Sequence, residues 1–400
     1  MEPNRPWLTI VGLGEDGLDG LSLASRSAIQ DAEIIMGPPR HLGFISKTDA
    51  KVIEWPVPFS KGLAALMPYR GQNVVVLASG NPFWFGAGTV LAKEFASQEW
   101  RALPAPSTFS WVASKLGWPL EKIITLGLHA APIERLRPHL TVGQRIILLI
   151  RSAEAATIVA NYLTKQGFGD SQLWVLESLG GPHEKITASR ASNYIAVASE
   201  RPVCLAMAIA GTGNGMPLAC GLNNHWFNND GQITKPHIRA LTLSALAPRH
   251  GDHLWDIGGG SGSIAIEWLL CHPSLRATII EKNPERVEII RSNAKQFGMN
   301  KLEIIHGNAP AVLSNLVRPQ VVFVGGGLNK ELLNWLKTNL APGIRLVANA
   351  VTLETEALLI NANTQFGGSL MRIELSHPSP IGSHLGWKST YPITQFSLTL

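Results

Sequence analysis

Cysteine is scarce in this chain, and so is charge. The 400 residues include three cysteines, Cys204, Cys220 and Cys271, none of them in a CxxC pair. So small, odd and widely spaced a set excludes the disulfide framework of small secreted domains, and a reducing compartment is expected. Charged residues are 16% of the sequence against 45% hydrophobic. That balance excludes the disordered class, whose chains lack the apolar surface needed to offset the entropy of ordering. No apolar run opens the chain, because Met1, Glu2, Pro3 and Asn4 lead directly into a strand-like segment. Neither a secretory signal nor a membrane span is therefore expected, and a cytoplasmic protein without a membrane partner is. The formal charge of +5 favours anionic partners, yet Lys and Arg are scattered, without the block or stripe that nucleic acid engages. A polycarboxylate small molecule suits such a surface. Neither a nucleic-acid partner nor a metal is expected.

What is present is alternation. Length predicts two domains, since one core rarely organises more than ~100 to 200 residues. The run Trp7 to Val11, the loop Gly12-Leu13-Gly14-Glu15-Asp16-Gly17, a helical stretch from Leu21 to Ala32 and the run Ile34 to Met36 make a β-loop-α-β opening. Val74 to Ala78 closes on Ser79-Gly80-Asn81-Pro82, Ile146 to Ile150 precedes a helix over Ala153 to Lys165, and Val203 to Ile209 ends this half. Glycine and asparagine then crowd the chain from Gly211 to Asn229, which reads as a linker. The expected domains are 1–212 and 230–400, joined by 213–229.

The second half repeats the alternation, with strands at His253 to Ile257, Ala277 to Glu281, Leu302 to His306, Val321 to Val324 and Ile344 to Ala348. Asn283 and Pro284 open a helix whose apolar stripe is Val287, Ile290, Ala294 and Phe297. Two consecutive terminal strands, Leu370 to Leu375 and Ile393 to Leu400, suggest an antiparallel finish to a doubly wound parallel sheet.

Asp256-Ile257-Gly258-Gly259-Gly260-Ser261-Gly262-Ser263 follows a strand and opens a helix, so its backbone N–H groups are free to meet a nucleotide-like ligand. The sixth position of a GxGxxG dinucleotide fingerprint counted from Gly258 is Ser263, which weakens a nicotinamide reading. Glu281 closes the next strand, where a carboxylate accepts hydrogen bonds from ribose hydroxyls. Asp256 before this loop, Glu281, and Asn308-Ala309 after the third strand together resemble the class I methyltransferases.

In the first half, Gly12 to Gly17 satisfies GxGxxG, but its second strand ends at Met36-Gly37 without a ribose carboxylate. Taken in order, Val11 to Gly17, Ala78-Ser79-Gly80-Asn81-Pro82-Phe83-Trp84-Phe85-Gly86 and Pro104-Ala105-Pro106-Ser107-Thr108 resemble the tetrapyrrole methylases of corrin and sirohaem synthesis. That family carries Asp where this chain has Asn81. Asp230-Gly231-Gln232-Ile233-Thr234-Lys235 and Val347 to Thr355 extend the resemblance to the whole chain, which is similar to the fused methyltransferases of the cobalamin pathway. Pro236-His237 stands where they carry a charged pair.

The resemblance implies an α/β fold, with an N-terminal two-lobed tetrapyrrole methylase domain and a C-terminal Rossmann-like class I methyltransferase sheet whose final strand is antiparallel. It implies methylation of a reduced precorrin at C5 by the first domain, methylation at C15 and loss of the C12 acetate carboxyl by the second, and a homo-oligomer. The implied cofactor is S-adenosyl-L-methionine, with contacts from Gly12, Gly14, Gly80, Asn81, Pro82, Ser107 and Thr108 in the first half. In the second half they come from Asp256, Gly258, Gly260, Gly262, Ser263, Glu281, Asn308 and Ala309. Substrate contacts are expected from Thr234, Lys235, Arg239, Gly326 and Asn349, and from Arg40 and His41, because a polycarboxylate needs cations at the rim. His250, His253 and His306 are candidate proton donors, and Trp84, Trp111 and Trp255 are free either to stack on a macrocycle or to fill the core. On the residues alone three other readings stay open: an NAD-dependent oxidoreductase using Gly12 to Gly17 and fused to a methyltransferase, a non-enzymatic nucleic-acid-binding module using the positive charge, and an RNA or small-molecule methyltransferase whose first half is a tetrapyrrole-methylase-like partner domain.

Overall fold

A computed structural model describes residues 6–45, 48–128, 131–196, 203–299 and 301–400. The opening Met1 to Asn4 lies outside them. The chain divides into two compact units, one formed by Met1–Ile133 and His139–Gly215, the other by Glu134–Pro138 and Met216–Leu400. Among the described residues no helix is long and apolar enough to cross a membrane.

The first unit holds two five-stranded sheets. One is parallel throughout, in the order Lys51–Glu54, Ile34–Gly37, Val74–Ser79, Leu8–Leu13, Trp100–Leu103. Strands of such a sheet are covered on both faces and read as continuous apolar runs; every residue of Leu8–Leu13 is buried, as are Val74 to Ala78. The second sheet is mixed. Ile123–Gly127 runs parallel to Arg145–Leu149, and Val203–Ala208, Gln172–Glu177 and Lys185–Arg190 then join antiparallel. Helix Ala153–Lys165 occupies the residues expected from its apolar spacing.

In the second unit a seven-stranded sheet runs in the order Leu302–His306, Arg276–Glu281, His253–Ile257, Val321–Val324, Arg345–Ala350, Ile393–Thr399, Ser369–Ile373. The first five strands are parallel and the last two pairings antiparallel. The chain builds outward from His253–Ile257 to Leu302–His306, then returns to lay Val321–Val324 on the opposite flank. That reversal opens a crevice beyond the carboxyl ends of the two central strands, where ligands of open α/β sheets bind.

Two expectations need correction. The segment read as a linker is folded: Met216, Leu222, Trp226 and Phe227 are buried with Ile266 and Phe297, and the Phe227 and Phe297 rings stack at 5.3 Å. Each large apolar side chain so buried contributes roughly 1.5 to 3 kcal/mol, enough to fix a glycine- and asparagine-rich stretch. The two terminal strands are not consecutive either, because a hairpin of Ser376–Ile381 and His384–Ser389 stands between them. Pro378, Pro380 and Gly386 hide its alternation. The pair forms a separate two-stranded sheet, where prolines are tolerated, and Gly382 supplies the left-handed φ of 57° at its turn.

Candidate active sites

The first unit encloses a cavity of about 760 Å³ beyond the carboxyl ends of Leu8–Leu13 and Val74–Ser79. Gly14, Gly80, Asn81, Ser107 and Thr108 line it, together with Arg40, Trp84 and Trp111. Gly12 does not face the space. A Cβ there would fall 1.9 Å from the Gly80 carbonyl oxygen and 2.5 Å from the Ala105 nitrogen, so Gly12 lets the three loops close on one another. Pro82 likewise sits inside its turn, its carbonyl against Gly86 and Gly88. Both corrections move a residue from ligand contact to loop shape. The Asn81 Oδ1 accepts from the Phe83 N–H at 3.0 Å, a turn bond that either Asn or Asp can make. Ser107 Oγ accepts from the Ser110 N–H at 3.1 Å and caps helix Thr108–Leu116.

The Arg40 guanidinium lies 3.0 Å from Glu15 Oε1 and donates to Ser79 Oγ at 2.9 Å and His41 Nε2 at 3.0 Å. His41 is fully buried, and burial first, then the Arg40 charge, lower its pKa to about 4. It is neutral near pH 7 and does not serve as a cation for carboxylates. Arg151, which carried no motif, lines the cavity instead.

The second unit holds a cavity of about 1190 Å³ in the crevice of its sheet. Thr234, Lys235, Asp256, Gly258, Gly260, Ser263, Glu281, Asn308, Ala309, Gly326 and Asn349 all line it. Gly258, with φ of 76°, brings its loop within reach of the neighbouring one, since a Cβ there would stand 2.7 Å from the Gly326 carbonyl oxygen. Gly260 points its missing side chain into open space. Glu281 is buried and clamps this loop, one oxygen accepting from the Gly260 N–H and the other from the Asn283 N–H, both at 2.9 Å. Asp256 is 1% exposed, and its carboxylate faces only the Ala265 backbone N–H, with no side-chain partner among the described residues. Burial pushes its pKa up to about 7 against the opposing Ala265 N–H, and the Glu281 charge adds to the rise. A buried carboxylate at the wall of a cavity, with a single backbone N–H beside it, has acceptor capacity left for a donor or cation from a ligand.

Gly262 is not a lining residue; it stands at the start of helix Ser263–Cys271, where a Cβ would meet Ile290 at 3.1 Å. Arg239 is the larger correction. It is fully buried, its Nε 2.7 Å from Glu267 Oε1, its Nη1 donating to Asn224 Oδ1 at 3.0 Å, with further bonds to the Thr234 and Leu222 carbonyls. Four of its five N–H donors are spent, three on the 222–234 segment and one on Glu267, and the buried guanidinium does not line the cavity.

None of the candidate histidines lines the second cavity. His253 sits at the amino end of its strand, bonded to Thr278 Oγ1 at 2.8 Å, and its pKa is lowered by burial. His306 Nε2 lies 3.2 Å from the Lys282 carbonyl oxygen, and the His250 ring lies 5.2 Å from that of His272. Trp255 is fully buried in the core.

Sequence reasoning missed the support under Asn349. Its Nδ2 donates to Thr242 Oγ1 at 2.9 Å and its Oδ1 accepts from Gln395 Nε2 at 3.0 Å, both partners buried. The amide orientation at the cavity wall is thereby fixed. Arg286 was missed too: it lines the cavity and ties helix Pro284–Gln296 to Asp230 Oδ2 at 2.8 Å and Gln232 Oε1 at 2.5 Å.

Comparison with known proteins adds relatives to this geometry. Residues 7–194 match the tetrapyrrole (corrin/porphyrin) methylases, and residues 225–400 match the precorrin methyltransferase domain. The chain is 44% identical over 398 residues to a precorrin-6Y C(5,15)-methyltransferase (decarboxylating) of Sinorhizobium sp, covering 98% of this chain and 96% of that one. A protein of the same name from Mycobacterium tuberculosis is 36% identical over 398 residues, covering 98% and 99%. A cobalt-precorrin-6B C(15)-methyltransferase (decarboxylating) of Salmonella typhimurium is 32% identical over 166 residues, which are 40% of this chain and 85% of that protein.

Proposed function

Because the chain belongs to the precorrin-6Y C(5,15)-methyltransferase (decarboxylating) family, we propose that it methylates a reduced precorrin-6 at C5 and C15 and decarboxylates its C12 acetate, giving precorrin-8X in cobalamin biosynthesis. The methyl donor is S-adenosylmethionine at both sites. The first domain, 1–212, carries the C5 step, and the second, 230–400, carries the C15 step and the decarboxylation.

The observation that carries this reading is the pair Asp256 and Glu281 around the Gly258–Gly260 loop. S-adenosylmethionine presents an α-ammonium and two ribose hydroxyls, all hydrogen-bond donors, and the buried Asp256 and Glu281 carboxylates are acceptors. The residues present fit the group. Gly258 and Gly260 would hold it through backbone approach, with Asn308 and Ala309 closing the adenine side. In the first cavity Gly14, Gly80, Asn81, Ser107 and Thr108 would do so through neutral loops.

When bound, the cofactor supplies an electrophilic methyl group, and the electron-rich macrocycle carbon is the nucleophile, so the protein contributes alignment and exclusion of water. Lys235 at the second cavity and Arg40 and Arg151 at the first meet the substrate carboxylates. Loss of carbon dioxide leaves a carbon that takes up a proton. Lys235, Lys282 and Tyr391 carry donor groups that line that cavity.

The test is mass spectrometry of tetrapyrrole products after incubation with S-adenosylmethionine and reduced precorrin-6. Wild type is expected to add two methyl groups and lose one carbon dioxide. Gly260→Arg, which fills the open space of the second loop, is expected to add only one methyl group. No mass change from a wild-type protein that binds the cofactor would overturn the substrate assignment.

A further inference from the structure

Cys220 and Cys271 are 51 positions apart in sequence, yet their sulfurs lie 3.8 Å from each other. Both residues are exposed, so both are open to reagents in solution. Cys220 begins the strap that runs to Lys235 and carries Thr234 and Lys235 to the second cavity. Cys271 is the last residue of helix Ser263–Cys271, whose other end is the glycine loop. Between them Glu267 accepts the Gly221 N–H at 2.6 Å, the Leu222 N–H at 3.1 Å and the Arg239 Nε–H at 2.7 Å. This clasp holds the backbone on both sides of the two sulfurs. A disulfide needs ~2.05 Å between sulfurs, so the two thiols have to close from 3.8 Å to form one.

We propose that Cys220 and Cys271 are a redox-modification site, a dithiol that a low-molecular-weight disulfide such as oxidised glutathione converts to an intramolecular bridge. The Cys220 thiolate attacks one sulfur of the oxidant and expels one glutathione thiolate, leaving a mixed disulfide. Cys271 then loses its proton to solvent, attacks Cys220 Sγ and expels the second glutathione thiolate. Two protein thiols are oxidised, one glutathione disulfide is reduced to two thiols, and no other reactant is required.

The order follows from the surroundings. Cys271 Sγ donates to the Glu267 carbonyl oxygen at 3.2 Å, and burial, with the neighbouring Cys220, pushes its thiol up to about 12. Once Cys220 is in a mixed disulfide it no longer ionises, and that part of the restraint on Cys271 is lifted. Cys204 supplies an internal control. It is buried, its thiol bonded to the Leu176 carbonyl at 3.7 Å, and burial raises its pKa to about 12.

The experiment equilibrates the full chain in graded mixtures of reduced and oxidised glutathione, quenches with acid, unfolds, alkylates and records the intact mass. At the oxidising end, alkylatable thiols are expected to fall from the three of the sequence to the one of Cys204, with two hydrogens lost and no glutathione attached. Proteolysis should release one disulfide-linked peptide pair containing Cys220 and Cys271. Cys271→Ser should retain a glutathione adduct on Cys220, and Cys220→Ser should form no bridge. Three alkylated thiols at every ratio would overturn the proposal, as would persistent glutathione on wild-type Cys220 or bridges between chains. The wild-type peptide pair decides the matter by itself should a serine variant fold poorly, and none of these readouts depends on methyl transfer.

Discussion

The two units place glycine loops at the ends of parallel strands and hold them by different means. In the first, Gly12, Gly80 and Ala105 meet backbone to backbone, and the nearby carboxylate Glu15 is already paired with Arg40 at 3.0 Å. In the second, Glu281 clamps the Gly260 amide while Asp256, 1% exposed, has no side-chain partner among the described residues. One set of loops is held by backbone packing beside a paired carboxylate; the other is clamped by one carboxylate beside a second that has no side-chain partner among the described residues. A glycine motif alone therefore does not say how its ligand is held, since glycine packs loops against one another in one unit and offers a loop amide to a carboxylate in the other.

Arg239→Ala should produce the largest effect and confine it to the second unit. Removing the guanidinium leaves Glu267 buried without its charge partner, a loss of about 3 to 5 kcal/mol. Thermal unfolding should show the second unit melting earlier, with C15 methylation lost and C5 methylation kept. Gly12→Ala is the mirror experiment. The added Cβ collides with the Gly80 carbonyl and should cost roughly 1 to 3 kcal/mol, removing C5 methylation while C15 transfer persists on a supplied C5-methylated substrate. Equal loss of both activities in both variants would break the comparison.

Asp256 sharpens it through pH. Its folded pKa of about 7 stands above the ordinary 3.8, so the folded state keeps a proton that the unfolded state has released. Ligand-free stability contributed by this group is therefore present below pH 3.8 and is lost as pH rises through about 7. A cationic ligand favours the ionised form, so binding at the second site should strengthen with pH up to about 7, by at most about tenfold per unit, and level off above it. Calorimetric titration across that range should show the slope in wild type and none in Asp256→Asn; a slope unchanged in the variant would remove Asp256 from the site. Thr242→Val is the mildest change. Losing the hydroxyl that orients Asn349 should cost about 1 kcal/mol and lower kcat for C15 transfer, leaving C5 transfer unchanged in the same product assay.

Much of this contrast was legible before any coordinates. Asp256, Gly258, Gly260 and Glu281 stand at strand ends, where parallel topology gathers a ligand crevice, whereas Asn308 and Ala309 come from the resemblance to class I methyltransferases; all six line the second cavity. Strand His253–Ile257 and helix Ala153–Lys165 fall on the residues their apolar spacing indicated. Arg239 was misread because its partner Glu267 lies 28 residues away, and a charged side chain near a motif looks the same whether it faces solvent or a buried acid. Thr242 and Gln395, 153 residues apart, support Asn349 only once helix Pro236–Leu246 and the last strand meet. Cys220 and Cys271 are hidden in the same way. Long-range pairings of polar groups leave no periodicity in sequence, whereas apolar strands and glycine turns do.

The central claim is that one chain holds two independent cofactor sites. Equilibrium titration of the purified chain with S-adenosylmethionine, with stoichiometry as the readout, tests it most directly. The account predicts two molecules per wild-type chain and one per Gly260→Arg chain. One molecule per wild-type chain, or two in the variant, would contradict it.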